Sequence, residues 1–305
     1  MTAPEQPSTK GYDPLYAAFD SPLMRQLRQE AYGEDISQHS WVTADEFRSD
    51  IGRLSLTTSS RLLDVGCGPC GPLVFAVKST RCMGTGLDVS ASAIGSGRAR
   101  ASDAGVQDPV ALLEADLNLL IPFGGSSFDA AISLDVVVHL RNRKALFHEM
   151  ARLLVPTGRL LLTDAGVITG PISNEEVERR SVNGYMQFVP PGVNEELLEA
   201  AGFRLIDQDD RTGSVVFNAS GRLRAMLAHR ADVEAADGKE AFARQQRYLE
   251  TVVALSERRA LSRIMYFAEL AQSADMRPSR QRSVLRPVPS GARTQAGVRN
   301  IARGS

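Results

Sequence analysis

The chain has 305 residues, 43% hydrophobic and 23% charged, enough to bury one large core or a core with a cap. Its 35 basic and 36 acidic side chains leave a formal net charge of −1, so the chain as a whole has no general attraction for nucleic acid. No apolar run reaches the roughly 18 residues of a membrane span. The first residues lack a signal peptide's basic and apolar regions, the odd count of three cysteines argues against a disulfide framework, and four scattered histidines show no metal-ligand spacing. A cytoplasmic protein without a membrane anchor is expected, with a small-molecule partner, as a monomer or homodimer.

Residues 1–11 are polar and expected to be disordered, and residues 12–57 read as a helical lid, with Thr43 and Glu46 placed as a capping box opening a helix near Ala44. The core is expected over 58–165, as strand 61–65, helix 71–79, strand 84–88, helix 91–104, strand 110–114, strand 128–134, helix 142–154 and strand 158–164. That alternation predicts a Rossmann-like, doubly wound, mostly parallel sheet with its ligand at the carboxyl ends of the strands. Asp64, Asp88, Asp116 and Asp135 all fall at such ends.

Residues 166–192 interrupt the pattern as a cap insertion, in which Ser173 and Glu176 form a second capping box and the helix runs to the Pro190-Pro191 pair. The rest of the core, 193–275, starts with Asn194 capping EELLEAAG and the strand FRLIDQ. A charged helical pair follows between about Ser220 and Ser262, and RIMYFAEL suits either a continuation of the helix or a strand in which Ile264, Tyr266 and Ala268 alternate with Met265 and Phe267. Beyond Met276, residues 276–305 carry arginines among Pro, Ser and Gly with no acidic residue after that methionine, the composition of a disordered basic tail.

The chemistry concentrates in RLLDVGCGPCG, residues 61–71. Gly66, Gly68 and Gly71 fit G-x-G-x-x-G, a spacing that by itself also suits a dinucleotide whose pyrophosphate sits on a helix N-terminus. Asp64, two residues before the first glycine, repels a pyrophosphate and attracts a cation. At an effective dielectric near 20 and roughly 5 Å, one such pair is worth about 3 kcal/mol before screening. S-adenosylmethionine brings a sulfonium and an ammonium against one carboxylate, so the sign of the charge favours it over NAD. Asp88, about twenty residues further along at a strand end, is placed to accept hydrogen bonds from ribose hydroxyls, with Val89 beside it. Cys67-Gly-Pro-Cys70 spells C-x-x-C but lacks the tryptophan that precedes a thioredoxin-like motif.

LLDVGCG, GLDVS, LLEADL, FDAAISLD and PTGRLLLTD, in this order over about residues 60–165, resemble the motif series of class I S-adenosylmethionine-dependent methyltransferases. The resemblance implies a seven-stranded sheet with a final antiparallel strand, capped by the N-terminal segment, an insertion after strand 5 and C-terminal helices. It places the backbone of Gly66 and Gly68 at the methionine end of the cofactor, Asp116 and the Leu117 backbone at the adenine, and Asp135 near the reacting methyl. Asp135 and His139, four residues apart, resemble the pair in phosphoethanolamine and related small-molecule methyltransferases, whose histidine works with a tyrosine of the N-terminal segment. His139 and Asp135 are therefore catalytic candidates. Tyr12, Tyr16 and Tyr32 are open as the tyrosine, with Tyr16 and Tyr32 preferred. The arginine of the phosphobase clamp has no counterpart at Asn183 beside Tyr185, which argues against a phosphobase acceptor. The resulting expectation is methyl transfer to an N, O or C nucleophile of a small molecule; the alternative is a non-catalytic regulator that binds S-adenosylmethionine.

Overall fold

The computed structural model describes residues 12–181 and 184–272, so the expected disorder of 1–11 and the basic tail of 276–305 lie outside the described residues. Strands β1 (Arg61–Val65), β2 (Met83–Asp88), β3 (Val110–Glu114), β4 (Phe128–Leu134), β5 (Leu154–Ile168), β6 (Phe203–Asp210) and β7 (Leu261–Leu270) make one sheet in the order β3-β2-β1-β4-β5-β7-β6. Only β7 runs against its neighbours. The mostly parallel, seven-stranded architecture with a final antiparallel strand is thus as expected. Its central strands are apolar on both faces because helices cover both. Leu62, Leu73, Val77 and Ile132 pack on one side and Leu63, Phe128, Phe147 and Met150 on the other. Strand order reverses between β1 and β4, which opens a crevice beyond their carboxyl ends.

Helices α4 (Gly71–Thr80), α5 (Ala91–Asp103) and α6 (Arg143–Leu153) are the crossovers of the core. The lid comprises α1 (Asp13–Ala18), α2 (Pro22–Tyr32) and α3 (Ala44–Arg53). After the core come α7 (Asn174–Arg180), α8 (Val193–Ala200), α9 (Thr212–Ala228), α10 (Arg230–Asp237) and α11 (Lys239–Glu257). Lid and C-terminal helices share a core of their own, with Leu27, Ala31, Tyr32 and Trp41 packed on Val215, Ala219, Phe242 and Leu249. Gly221 makes the close α2–α9 crossing possible, since a Cβ there would lie 2.2 Å from the Ala31 carbonyl oxygen.

Several local expectations change in the tertiary setting. The Ser173–Glu176 capping box forms, but α7 ends at Arg180. The chain after it is claimed by long-range hydrogen bonds, from Gln187 N to the Val138 carbonyl and from Val189 N to the Gly166 carbonyl. Asn194 is not a cap. Gly192, at φ +93°, takes that position, and the Asn194 amide turns inward to Asp164 and Arg143. Thr43 caps α3, but the Glu46 carboxylate is drawn away to Arg263 of β7, so the box is only half formed. The expected helical pair is three helices and starts earlier, at Thr212.

Candidate active site

The glycine loop leaves β1 with Gly66 at φ +76°, where a Cβ would strike the Val136 side chain at 2.5 Å. Gly66 N and Cys67 N both donate to the Leu87 carbonyl, so the loop turns back onto the end of β2. Gly68 N donates to Asp88 Oδ2 at 2.8 Å and Ser90 N to Asp88 Oδ1 at 3.0 Å. Ser90 Oγ caps α5 and also donates to Asp13 Oδ1 of the lid at 2.6 Å. Asp64 is buried beside this loop, and among the described residues no hydrogen bond or ion pair reaches its carboxylate. Burial, and then the charge of Asp88, push the Asp64 carboxyl up to about 8. Burial also raises that of Asp88, against the lowering effect of backbone N–H donors. On the far side of this edge, Asp116 Oδ1 accepts from the backbone and side chain of Asn118, Leu117 is buried and Val89 is exposed.

The lid closes over this edge. Tyr16 packs on the loop, with its hydroxyl 3.4 Å from where a Gly68 Cβ would sit, and the segment at Ile36 and Ser37 lies so close to Gly71 that only glycine fits there. Asp20 ties the lid to Arg100 of α5 at 2.5 Å, and the guanidinium carbons of Arg28 and Arg100 lie 4.0 and 5.5 Å from the centre of the Phe19 ring.

Beyond β4, Asp135 adopts φ +63°, which a non-glycine residue holds only when its surroundings fix it. Those surroundings are Arg263 Nε at 2.8 and 3.1 Å, the Thr163 hydroxyl at 2.8 Å and the Trp41 backbone N–H at 2.9 Å. A short 3-10 turn, Val137–His139, then presents the imidazole. His139 Nδ1 lies 3.2 Å from the Tyr185 carbonyl, which can only accept, so that nitrogen carries the proton. Nε2 is left as an acceptor, and the Tyr12 hydroxyl donates to it at 3.3 Å. Burial lowers His139 to about 4, with Arg180 acting in the same direction, and lowers the neighbouring His39 to about 3, so both rings are neutral near pH 7. Tyr12 stands edge-on to both imidazoles, with centroids 5.2 Å from His139 and 5.7 Å from His39.

A methyltransferase-domain family matches residues 63–162. The chain is 31% identical over 175 residues to 27-O-demethylrifamycin SV methyltransferase of Amycolatopsis mediterranei, covering 54% of this chain and 61% of that one. It is 27% identical over 191 residues to a sterol 24-C-methyltransferase of Gibberella zeae, covering 59% and 48%. The chain therefore spans between about half and three-fifths of the length of these two relatives. In three dimensions it is similar to the cyclopropane synthase MmaA2 of Mycobacterium tuberculosis, with a TM-score of 0.72 at 16% identity over 88% of this chain and all of the other. Residues 63–162 thus match a methyltransferase-domain family, and the sheet and helices around them have the fold of class I S-adenosylmethionine-dependent methyltransferases.

The cofactor implied by this family, S-adenosylmethionine, fits the glycine-loop edge. Two buried carboxylates, Asp64 and Asp88, lie together there without a cationic partner among the described residues, an arrangement that a cationic ligand relieves and a pyrophosphate aggravates. The sequence-derived residues divide into groups. Asp64, Gly66, Gly68, Asp88 and Tyr16 come together at this edge, and His139 stands at the neighbouring strand end. Tyr32 sits apart, in the lid–helix core beneath the Arg222 guanidinium, and the tyrosine that meets His139 is Tyr12 rather than Tyr16 or Tyr32. The Asp135 carboxylate is held by Arg263, Thr163 and Trp41, so in this conformation it anchors the turn that carries His139. Sequence reasoning missed Asp13, His39, Trp41, Arg180 and Arg263. Only Arg263 left a local signal, as a charge within an otherwise apolar strand.

Proposed function

We propose that this protein transfers a methyl group from S-adenosylmethionine to a small-molecule acceptor, with the acceptor held between the glycine-loop edge and the Tyr12–His139 pair. The observation that carries this reading is the adjacency, at one sheet edge, of a buried acidic cradle without a cation and a neutral histidine whose free nitrogen already accepts a hydrogen bond. When bound, the cofactor supplies a methyl group on an already activated leaving group, so the protein's task is alignment, exclusion of water and management of a proton.

Each part of that task has residues suited to it. Asp88, its carboxylate oriented by the Gly68 N–H, holds the ribose end, Asp64 and the Gly66–Gly68 backbone face the cationic amino-acid end, and Asp116 and Leu117 border the adenine. Tyr16 and the 36–37 segment shut out water above the loop. His139 Nε2 takes the acceptor's proton, directly or through the Tyr12 hydroxyl, while the Tyr185 carbonyl holds the tautomer in which Nε2 is the base. The acceptor atom is a nitrogen, oxygen or carbon nucleophile, the three classes that the relatives' names span.

The test is calorimetry with S-adenosylmethionine and S-adenosylhomocysteine, followed by detection of S-adenosylhomocysteine release across phenols, alcohols, amines and activated carbon acids. Binding together with release on any of these supports the reading. Absence of cofactor binding by the folded protein overturns it.

A further inference from the structure

Four arginines are buried among the described residues: Arg28, Arg143, Arg180 and Arg263. Arg28 pairs with Asp35, Arg143 with Asp164, and Arg263 with Asp135 and Glu46. Arg180, 3% exposed at the end of α7, has no carboxylate partner among the described residues. Its Nη1 donates to the Tyr248 hydroxyl at 3.0 Å and meets the Met186 sulfur at 3.3 Å. Nε and Nη2, the edge that binds a carboxylate or phosphate side-on through two parallel hydrogen bonds, have no hydrogen-bond partner among the described residues. The Trp41 and Tyr248 rings lie 5.9 and 5.4 Å from the guanidinium carbon. Such contacts recover only part of the cost of burying a guanidinium.

The location gives this vacancy a function. Arg180 stands 5.9 Å from the ring of Trp41, whose backbone N–H donates to Asp135 at the foot of the turn that carries His139, and its charge acts on both Tyr12 and His139, so it lies on the same side of the site as the Tyr12–His139 pair. Arg222 lies on this side too, over the Trp41 ring at 4.5 Å, and its Nη2 is satisfied by the His39 and Ser40 carbonyls without any acid. The acceptor side therefore holds two guanidinium groups and two neutral imidazoles, and the carboxylates nearest to it, Asp135 and Asp164, are already taken by Arg263 and Arg143.

We propose that Arg180, assisted by the Tyr248 hydroxyl, binds an anionic oxygen group of the acceptor, so that the preferred substrates are carboxylate- or phosphate-bearing small molecules with an apolar or aromatic body to lie against Trp41. This deepens the methyltransferase reading and depends on it. A negative charge docked at Arg180 offsets the guanidinium's pull on His139 and makes the imidazole a better base when such an acceptor is in place. Substrate recognition and base strength are thereby coupled through one side chain.

The test uses the full chain saturated with S-adenosylhomocysteine and matched aromatic probes: benzoate and benzamide, phenyl phosphate and benzyl alcohol, and longer homologues of each pair. Ligand-observed NMR titration gives their affinities. The expected result is that at least one anion binds tenfold or more tightly than its uncharged partner, and that Arg180→Met removes the preference while Arg180→Lys keeps part of it. Preference for carboxylates or for phosphates identifies the source of the anionic group. Equal binding of anions and uncharged partners by the wild type overturns the inference without any variant, and so does a preference that survives in a folded Arg180→Met protein. Failure of S-adenosylhomocysteine to bind the folded wild type is a different result, which sinks the methyltransferase reading itself.

Discussion

The two halves of the ligand edge are built on opposite electrostatic plans. The glycine-loop half carries Asp13, Asp64 and Asp88, gathered on adjoining elements with no cation of the described protein among them. The lid-and-cap half carries Arg180, Arg222, His39 and His139, with its nearby acids already neutralised. Each half is left with the charge its proposed ligand complements: carboxylates for a sulfonium cofactor, a guanidinium for an acidic acceptor. A buried charge without a partner costs far more than a solvated one, so ligands of the right sign are selected by what the protein leaves uncompensated.

The largest effect that can break this comparison concerns the boundary between the halves. Asp135→Ala leaves Arg263 buried beside a lost partner and is expected to destabilise the fold by about 3–5 kcal/mol. Denaturant unfolding measures this, and a loss below 1 kcal/mol would return Asp135 to the list of reacting groups. His139→Ala is next: kcat on a proton-bearing acceptor is expected to fall by about 10²- to 10⁴-fold with cofactor affinity nearly unchanged. If the affinity for S-adenosylmethionine falls instead, the division into two halves is drawn in the wrong place. Tyr12→Phe should lower kcat by about five- to tenfold through loss of one hydrogen bond, whereas Tyr32→Phe should leave it alone; steady-state kinetics of both variants decides between the candidate tyrosines.

On the acidic half, Asp88→Ala is expected to weaken S-adenosylmethionine binding by about 1–3 kcal/mol, read by calorimetry on protein of unchanged circular dichroism. The smallest effect depends on pH. Asp64, raised to about 8 in the free protein, binds a proton through the range from its ordinary value near 4 up to 8. It therefore costs folding stability as pH rises through that window, and a cationic ligand that displaces its proton binds more tightly as pH rises towards 8. His139 acts in the opposite sense on stability. Its folded value near 4 lies below the unfolded 6.5, so stability falls as pH drops from 6.5 to 4. Calorimetry of cofactor binding in buffers of different ionisation enthalpy should show proton release at pH 7 that disappears in Asp64→Asn. Pure pH independence would remove Asp64 from the cationic end.

How much of the site was legible follows the same division. Asp64, Gly66, Gly68 and Asp88 lie within 25 residues of one another on a strand–loop–helix–strand unit, so their spacing in sequence is nearly their spacing in space. The acceptor half draws Tyr12 from the lid, His139 from the end of β4, Tyr185 from the insertion and Arg180 and Tyr248 from helices far along the chain. Helical periodicity announces which residues can be buried but not which two helix faces meet. Tyr32, a sensible candidate by sequence, went to the lid–helix core because α2 turns it towards α9.

The sequence by itself determined the parallel core and the glycine-loop carboxylates, because alternating apolar runs and turn residues act over a few neighbours and leave little choice of topology, whereas the final antiparallel strand was legible only through the resemblance to a known family. Only the tertiary structure decided that Asp135 belongs to Arg263, that Tyr12 is the partner of His139, and that Arg180 is the one buried arginine without an acid among the described residues. Those are pairings between residues up to 128 positions apart, and a charge or a hydrogen bond finds its partner by distance in space, to which a single sequence gives no direct measure.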